Sequence, residues 1–271
     1  MASPSPIISS DPLAPLFTEW RDRGRTALIP YLTAGYPSLN ATPALLRAVA
    51  DAGADIIELG VPFSDPVADG PTIQRSSQAA LDNGVNLNWV LQTLAAFRRT
   101  HQTPVVLFTY LNPLLNHGPA AFARDATDAG AQAVLVVDLP VGSDPELEQT
   151  LEQSPLALVR LLAPTTAPER ARDIMRRTQG FLYYVARLGV TGAQAALRSE
   201  LVGELEQLRQ LSDIPIAVGF GISNAEQARA ISAVADGVIV GSALIDRLDA
   251  GGINAAAALV ESLRSGLDQS R

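Results

Sequence analysis

The chain of 271 residues contains no cysteine, which excludes disulfide frameworks, thiolate nucleophiles and zinc–thiolate sites together. Lysine is absent too, since all 20 basic residues are arginine. Neither a Schiff-base lysine nor a P-loop lysine is available. Imidazoles are limited to His101 and His117, which without a thiol or a close partner of their own kind make a poor transition-metal site, so no metal is expected. Both lie in polar surroundings away from strand ends and read as surface residues. No run of about 18 apolar residues could span a bilayer. A positive excess is missing as well: 20 basic residues against 28 acidic ones leave a net charge of −8. That balance speaks against a nucleic-acid backbone or an anionic membrane as partner. The opening MASPSPIISSDP has no basic residue before Asp11 and no apolar block of secretory length, so the expected compartment is the cytoplasm. Chemistry must rest on carboxylates, hydroxyls, guanidinium groups and backbone amides.

What is present is an ordinary globular composition, 47% hydrophobic and 18% charged. A short apolar or β-branched run followed by an amphipathic stretch recurs about eight times, the number at which parallel strands close into a TIM barrel. The expected strands are Thr26–Thr33, Asp55–Gly60, Pro104–Tyr110, Ala133–Leu139, Leu156–Ala163, Phe181–Ala186, Ile214–Phe220 and Gly237–Gly241. Each is nearly continuous in apolar character, as strands covered on both faces should be. Helices are expected over Ala41–Ala52, Leu87–Thr100, Ala167–Thr178 and Ser199–Leu211, with Pro43 and Pro168 where a first turn tolerates proline. An extra N-terminal helix, Leu13–Arg23, should plug or flank the lower end of the barrel. The fold class is therefore α/β, a TIM (β/α)8 barrel forming one domain over residues 13–271. Residues 1–12, with three prolines and four serines, are expected to be a disordered tail.

In such a barrel the site lies where strands end and the following loops begin. Those ends present Tyr31, Thr33, Glu58, Tyr110, Asp138 and Tyr183, and glycines after the last two strands. Side chains alternate along a strand, so Ile56 and Glu58 share one face and Ile57 and Leu59 the other. The latter pair suits the helix-facing layer, which puts Glu58 inside at the mouth; a carboxylate paired with an arginine at the rim is the alternative. The loop Pro62–Pro71 carries two acids and three prolines and is longer than closure requires. Asp69, at its far end, is the better catalytic candidate. Asp65 fits helix capping, turn chemistry or a partner contact.

Gly219-Phe220-Gly221-Ile222-Ser223 and Gly241-Ser242 each open a helix. Loops after the seventh and eighth strands often bind phosphate through exposed amides and the positive end of a helix dipole. Tight turns without a ligand would look the same. Arg187–Ala193, with Gly189, Thr191 and Gly192, suits a mobile lid whose hydroxyl and amide reach the same phosphate, although an idle loop has a similar composition. Trp20 and Trp89 fall in helical segments and read as packing.

The segment Ile57–Gln74 (IELGVPFSDPVADGPTIQ) resembles the signature of the tryptophan synthase alpha chain family. The likeness extends through Pro30–Gly35, Tyr110–Pro113, Asp138–Pro140, Gly189–Gly192, Gly219–Ser223 and Gly241-Ser242, covering nearly the whole chain after about residue 13. The resemblance implies retro-aldol cleavage of indole-3-glycerol phosphate to indole and glyceraldehyde 3-phosphate. It also implies a pyridoxal-phosphate-dependent beta chain as partner in an alpha2beta2 assembly, receiving indole through a tunnel, with no cofactor in the present chain. Position by position, Glu58 and Asp69 fall on the catalytic acids and Tyr183 on a tyrosine beside the glycerol moiety. Tyr31, Phe108 and Phe220 fall on the indole pocket. Thr191, Gly192, Gly221, Gly241 and Ser242 fall on the phosphate site and its closing loop, and Pro62 and Asp65 on the portion that touches the beta chain. Ala186 stands where a serine is expected, Phe181 where a second tyrosine can occur, and Tyr31 in place of phenylalanine. Other functions share these features: a different phosphosugar lyase or isomerase, a non-catalytic subunit that activates a partner, or an indole-releasing enzyme that works alone.

Overall fold

All the apolar runs become strands because each supplies a backbone ladder to its two neighbours while burying both of its faces. A computed structural model of the chain describes residues 11–186, 194–219 and 221–269. The strands are β1 (Ala27–Thr33), β2 (Ile57–Gly60), β3 (Val105–Thr109), β4 (Ala133–Val136), β5 (Ala157–Leu162), β6 (Leu182–Val185), β7 (Ile216–Gly219) and β8 (Gly237–Val240). They pair in parallel in chain order, and β8 pairs with β1 to close the barrel. The expected eight-stranded architecture stands, with most strands a residue or more shorter than their apolar runs. Asp138 thus falls beyond the end of β4, exposed, and its carboxylate accepts from the Leu111 N–H at 2.6 Å.

Helices surround the barrel: α1 (Ala14–Asp22), α2 (Ala41–Asp51), α3 (Pro71–Asp82), α4 (Leu87–Arg98), α5 (Leu111–His117), α6 (Pro119–Asp128), α7 (Pro145–Glu152), α8 (Pro168–Arg176), α9 (Gln194–Arg209), α10 (Ala225–Ser232) and α11 (Ser242–Asp268). The last is kinked at Gly251 and Gly252. Among the described residues no helix is long and apolar enough to cross a membrane.

Two apolar layers follow from strand alternation. Leu28, Leu32, Ile57 and Leu59 join the layer between strands and helices. Ala27, Ile29, Ile56, Val106, Leu135, Val159 and Ile239 fill the lumen. Helix α1 closes the lower end, where Leu13 and Phe17 enter the lumen cluster and Phe17 meets Phe181 at a ring distance of 5.6 Å. Burying a side chain of this size stabilises by about 1.5–3 kcal/mol. Phe181, where the family resemblance allows a tyrosine, is therefore part of this apolar plug.

Residues 1–10 of the expected tail lie outside the described residues. Asp11 sits at the head of α1, where its carboxylate accepts from the N–H groups of Leu13, Ala14 and Gly180. Trp20 packs edge-on against Phe17, and Trp89 lies against the outer core. The histidines sit on the outer helices and loops, His101 stacked on Phe97 and His117 bonded to Asp125 at 2.8 Å.

Candidate active site

Glu58 lies near the C-terminal end of β2, in register with Tyr31 of β1 and Val106 of β3. Sharing a face with Ile56, it points into the lumen and is only 1% exposed. Among the described residues no rim arginine pairs with it, and neither carboxylate oxygen has a hydrogen-bond partner. Removal from water, with nothing to stabilise the charge, pushes the carboxyl up to about 8. Glu58 is thus protonated at neutral pH, and its proton has no acceptor among the described residues.

Asp69 stands at the far end of the loop between β2 and α3, where Tyr110 donates to its Oδ2 at 3.0 Å. Burial raises this carboxyl to about 6, and the Tyr110 bond opposes the rise. The loop is clamped by its own following helix. Ser77 Oγ accepts from the Phe63 N–H and donates to the Phe63 carbonyl, while Gln74 Nε2 donates to the Asp69 carbonyl at 2.9 Å. Tyr110 appeared in the sequence as a polar strand end and in the stretch Tyr110–Pro113 of the family resemblance, with no role attached to it. No spacing pattern connects it to Asp69, which is 41 residues away.

The loop brings the two acids into one electrostatic neighbourhood. Burial, then the charges of Glu58 and Asp69, raise the Tyr183 phenol well above its ordinary value. Burial and the same two carboxylates also raise Tyr31. Tyr31 meets Phe108 edge to face at 5.2 Å, completing an aromatic wall beside the acids.

Two glycines make room for the tyrosines. A Cβ on Gly60 would collide with the Tyr31 hydroxyl, and one on Gly219 would come within 2.5 Å of the Tyr183 hydroxyl. Gly219, read from the sequence as part of an anion turn, is required by a ring. Gly221 has φ +79, a left-handed conformation that favours glycine. Gly241 differs from both. A Cβ there would make only ordinary contact, nearest Tyr31 at 3.7 Å, and Gly241, the residue before α11, brings no capping side chain. Ser242 opens that helix and is exposed. Phe220, and Arg187–Ala193 with Thr191 and Gly192, lie outside the described residues.

Of the residues read as partner-facing, Pro62 is buried, whereas Asp65 is exposed and accepts from Ser64 Oγ at 2.6 Å. Beside Asp65 on the same loop, Val67 is 84% exposed. Among the described residues, no group of three or more His, Asp or Glu side chains is placed to hold a metal ion.

Comparison with known proteins identifies the family. The family model described as tryptophan synthase alpha chain matches residues 17–269. A tryptophan synthase alpha chain of Xanthomonas euvesicatoria is 49% identical over 260 residues, covering 93% of this chain and 97% of that one. The Synechococcus elongatus protein of the same description is 45% identical, with 93% and 96% covered. Among solved structures, tryptophan synthase subunit alpha from Legionella pneumophila superposes with a TM-score of 0.87 at 35% identity, covering 95% of this chain and 98% of that one. A chain of aminoacrylate-bound tryptophan synthase from M. tuberculosis gives 0.85 at 37% identity, with 94% and 98% covered. With this sequence similarity extending along nearly the whole barrel, the chain belongs to the tryptophan synthase alpha chain family.

Proposed function

We propose that Glu58, Asp69 and Tyr183 carry out the reaction of this family, the cleavage of indole-3-glycerol phosphate to indole and glyceraldehyde 3-phosphate. The chain is a carbon–carbon lyase of tryptophan biosynthesis. The observation that carries the assignment is the buried Glu58 carboxyl, without a hydrogen-bond partner among the described residues, in the same electrostatic neighbourhood as a second carboxylate; its burial favours the protonated form.

Releasing indole requires the ring to accept the electrons of the breaking bond. Protonation of C3 by Glu58 creates an indoleninium-like cation. Ionised Asp69 accepts the ring N–H and stabilises the positive charge as it develops. The Glu58 carboxylate so formed takes the proton of the hydroxyl next to the bond, and Tyr183 orients that hydroxyl. As the hydroxyl oxygen becomes the aldehyde carbonyl, the C–C electrons return to the ring and indole leaves. Each proton given is recovered, so the residues end as they began.

Tyr31, Phe108 and Phe220 enclose the indole ring. Gly241, Ser242 and Gly221, with Thr191 and Gly192, hold the phosphate. The start of α11 at Gly241, a residue with no side chain to stand over the first backbone amides, supports this reading, because close approach to backbone amides is what a phosphate needs. The route is complete with side chains of this chain, and pyridoxal phosphate is placed in the beta chain alone. That beta chain docks on the face bearing Pro62, Asp65 and the exposed Val67, forming an alpha2beta2 assembly in the cytoplasm.

Glu58→Gln keeps the shape and removes the proton. Near-total loss of indole release is expected in a discontinuous indole assay, with the fold preserved by circular dichroism. Indole release at the parent rate would overturn the acid assignment.

A further inference from the structure

We infer that Tyr110 is a positioning residue for this reaction: its hydroxyl fixes both the Ala68 backbone and the Asp69 carboxylate, leaving the second carboxylate oxygen to receive the substrate's ring N–H. The inference rests on the role given to Asp69 above.

The Ala68 N–H donates to the Tyr110 hydroxyl at 3.2 Å, and the hydroxyl donates to Asp69 Oδ2 at 3.0 Å. A phenol has one proton to give. With the amide supplying a hydrogen to the oxygen, that proton is directed at the carboxylate. The ring cannot readily swing away, because Tyr110 is 2% exposed and its ring lies 5.1 Å from that of Phe63, whose backbone Ser77 holds at both N–H and carbonyl. On the other side Gln74 holds the Asp69 carbonyl. The carboxylate is therefore anchored at Oδ2 and at its own backbone, while Oδ1 receives no hydrogen bond among the described residues. An acceptor held in this way needs little reorganisation when the ring becomes cationic.

The bond also has an electrostatic effect. It favours the ionised carboxylate against burial, which alone drives the group toward the neutral form. Tyr110→Phe keeps the ring and removes the donor, so Asp69 should ionise only at higher pH.

The test is the pH dependence of kcat/KM for indole release by the full chain, between about pH 5 and 9, for the parent, Tyr110→Phe and Asp69→Asn. In Tyr110→Phe the acid limb is expected to move about one unit toward alkali, a loss of roughly tenfold on the acid side. Most of that loss should recover above neutrality, with KM changing more than kcat. A profile that coincides with the parent's, or a loss uniform across pH, would overturn the inference while leaving Asp69 in place. Asp69→Asn working at the parent rate would instead remove the underlying reading of Asp69. If Tyr110→Phe does not fold, 3-fluorotyrosine at position 110 keeps the shape and makes the phenol a stronger donor. The acid limb should then move toward lower pH, and an unmoved limb refutes the assignment.

Discussion

Glu58 is destabilising where it stands. Its folded-state carboxyl is raised to about 8 from an ordinary 4.5. Below about 4.5 both folded and unfolded chains hold the proton and no pH-dependent penalty exists. Between that value and about 8 the unfolded chain releases its proton and the folded chain keeps it, so rising pH favours unfolding, until the effect levels off above the folded value. At pH 8 the penalty is on the order of a few kcal/mol. Glu58→Gln should therefore melt several degrees higher than the parent near pH 8 and close to it near pH 4, as followed by calorimetry. A difference that is the same at both pH values would contradict the burial of an unpaired acid. The inward direction of Glu58 followed from its parity with Ile56, which needs only the period of a strand. Whether an arginine meets it could not be read in that way, because that depends on which side chains other strands and loops bring to the rim.

Among the strands, turns and helices, glycine has separate uses that look alike in sequence. Gly219 ends β7 and Gly241 follows β8, yet the first gives way to the Tyr183 ring, while a Cβ at the second would make only ordinary contacts. Gly219→Ala should displace Tyr183 and destabilise the fold by about 1–3 kcal/mol through overpacking, with an accompanying loss of indole release. Urea unfolding measures the first effect and steady-state assay the second; unchanged stability would show that the ring yields easily. The loop before α3 illustrates another limit of local reading. Its length, prolines and acids set it apart as more than a closing connection. The clamps from Ser77, Gln74 and Tyr110 come from side chains that no periodicity distinguishes from ordinary helix or strand residues.

Across the barrel, the apolar plug and the proposed site occupy opposite ends. Below, α1 seals the lumen with Leu13 and Phe17. Half-exposed arginines there surround two buried carboxylates: Asp236 meets Arg21 at 2.8 Å and Arg209 at 3.3 Å, and Asp55 meets Arg25 at 2.7 Å and Arg264, itself largely buried, at 2.8 Å. Above, the loops carry the acids, the glycine turns and the exposed Val67, and helix α5 carries the exposed Leu115. Large apolar side chains left in water next to a working loop are candidates for contact with another protein. For the pairing proposed above, adding a purified beta chain should increase the rate of indole formation by the isolated chain, and Val67→Asp should weaken that stimulation without lowering the unstimulated rate. No response to the beta chain would leave an indole-releasing enzyme that works alone.

Composition, strand alternation and the order of elements were sufficient to specify a barrel, its working end and the inward acid, because these depend on local chain geometry and on the need to cover apolar faces. The motifs were enough to show the family resemblance. Folding in three dimensions was needed to bring Asp69 to Tyr110, to assign Gly219 to a ring, and to leave Glu58 without a hydrogen-bond partner among the described residues. Each of these depends on contacts between residues far apart in the chain, and such contacts have no period for a sequence to display.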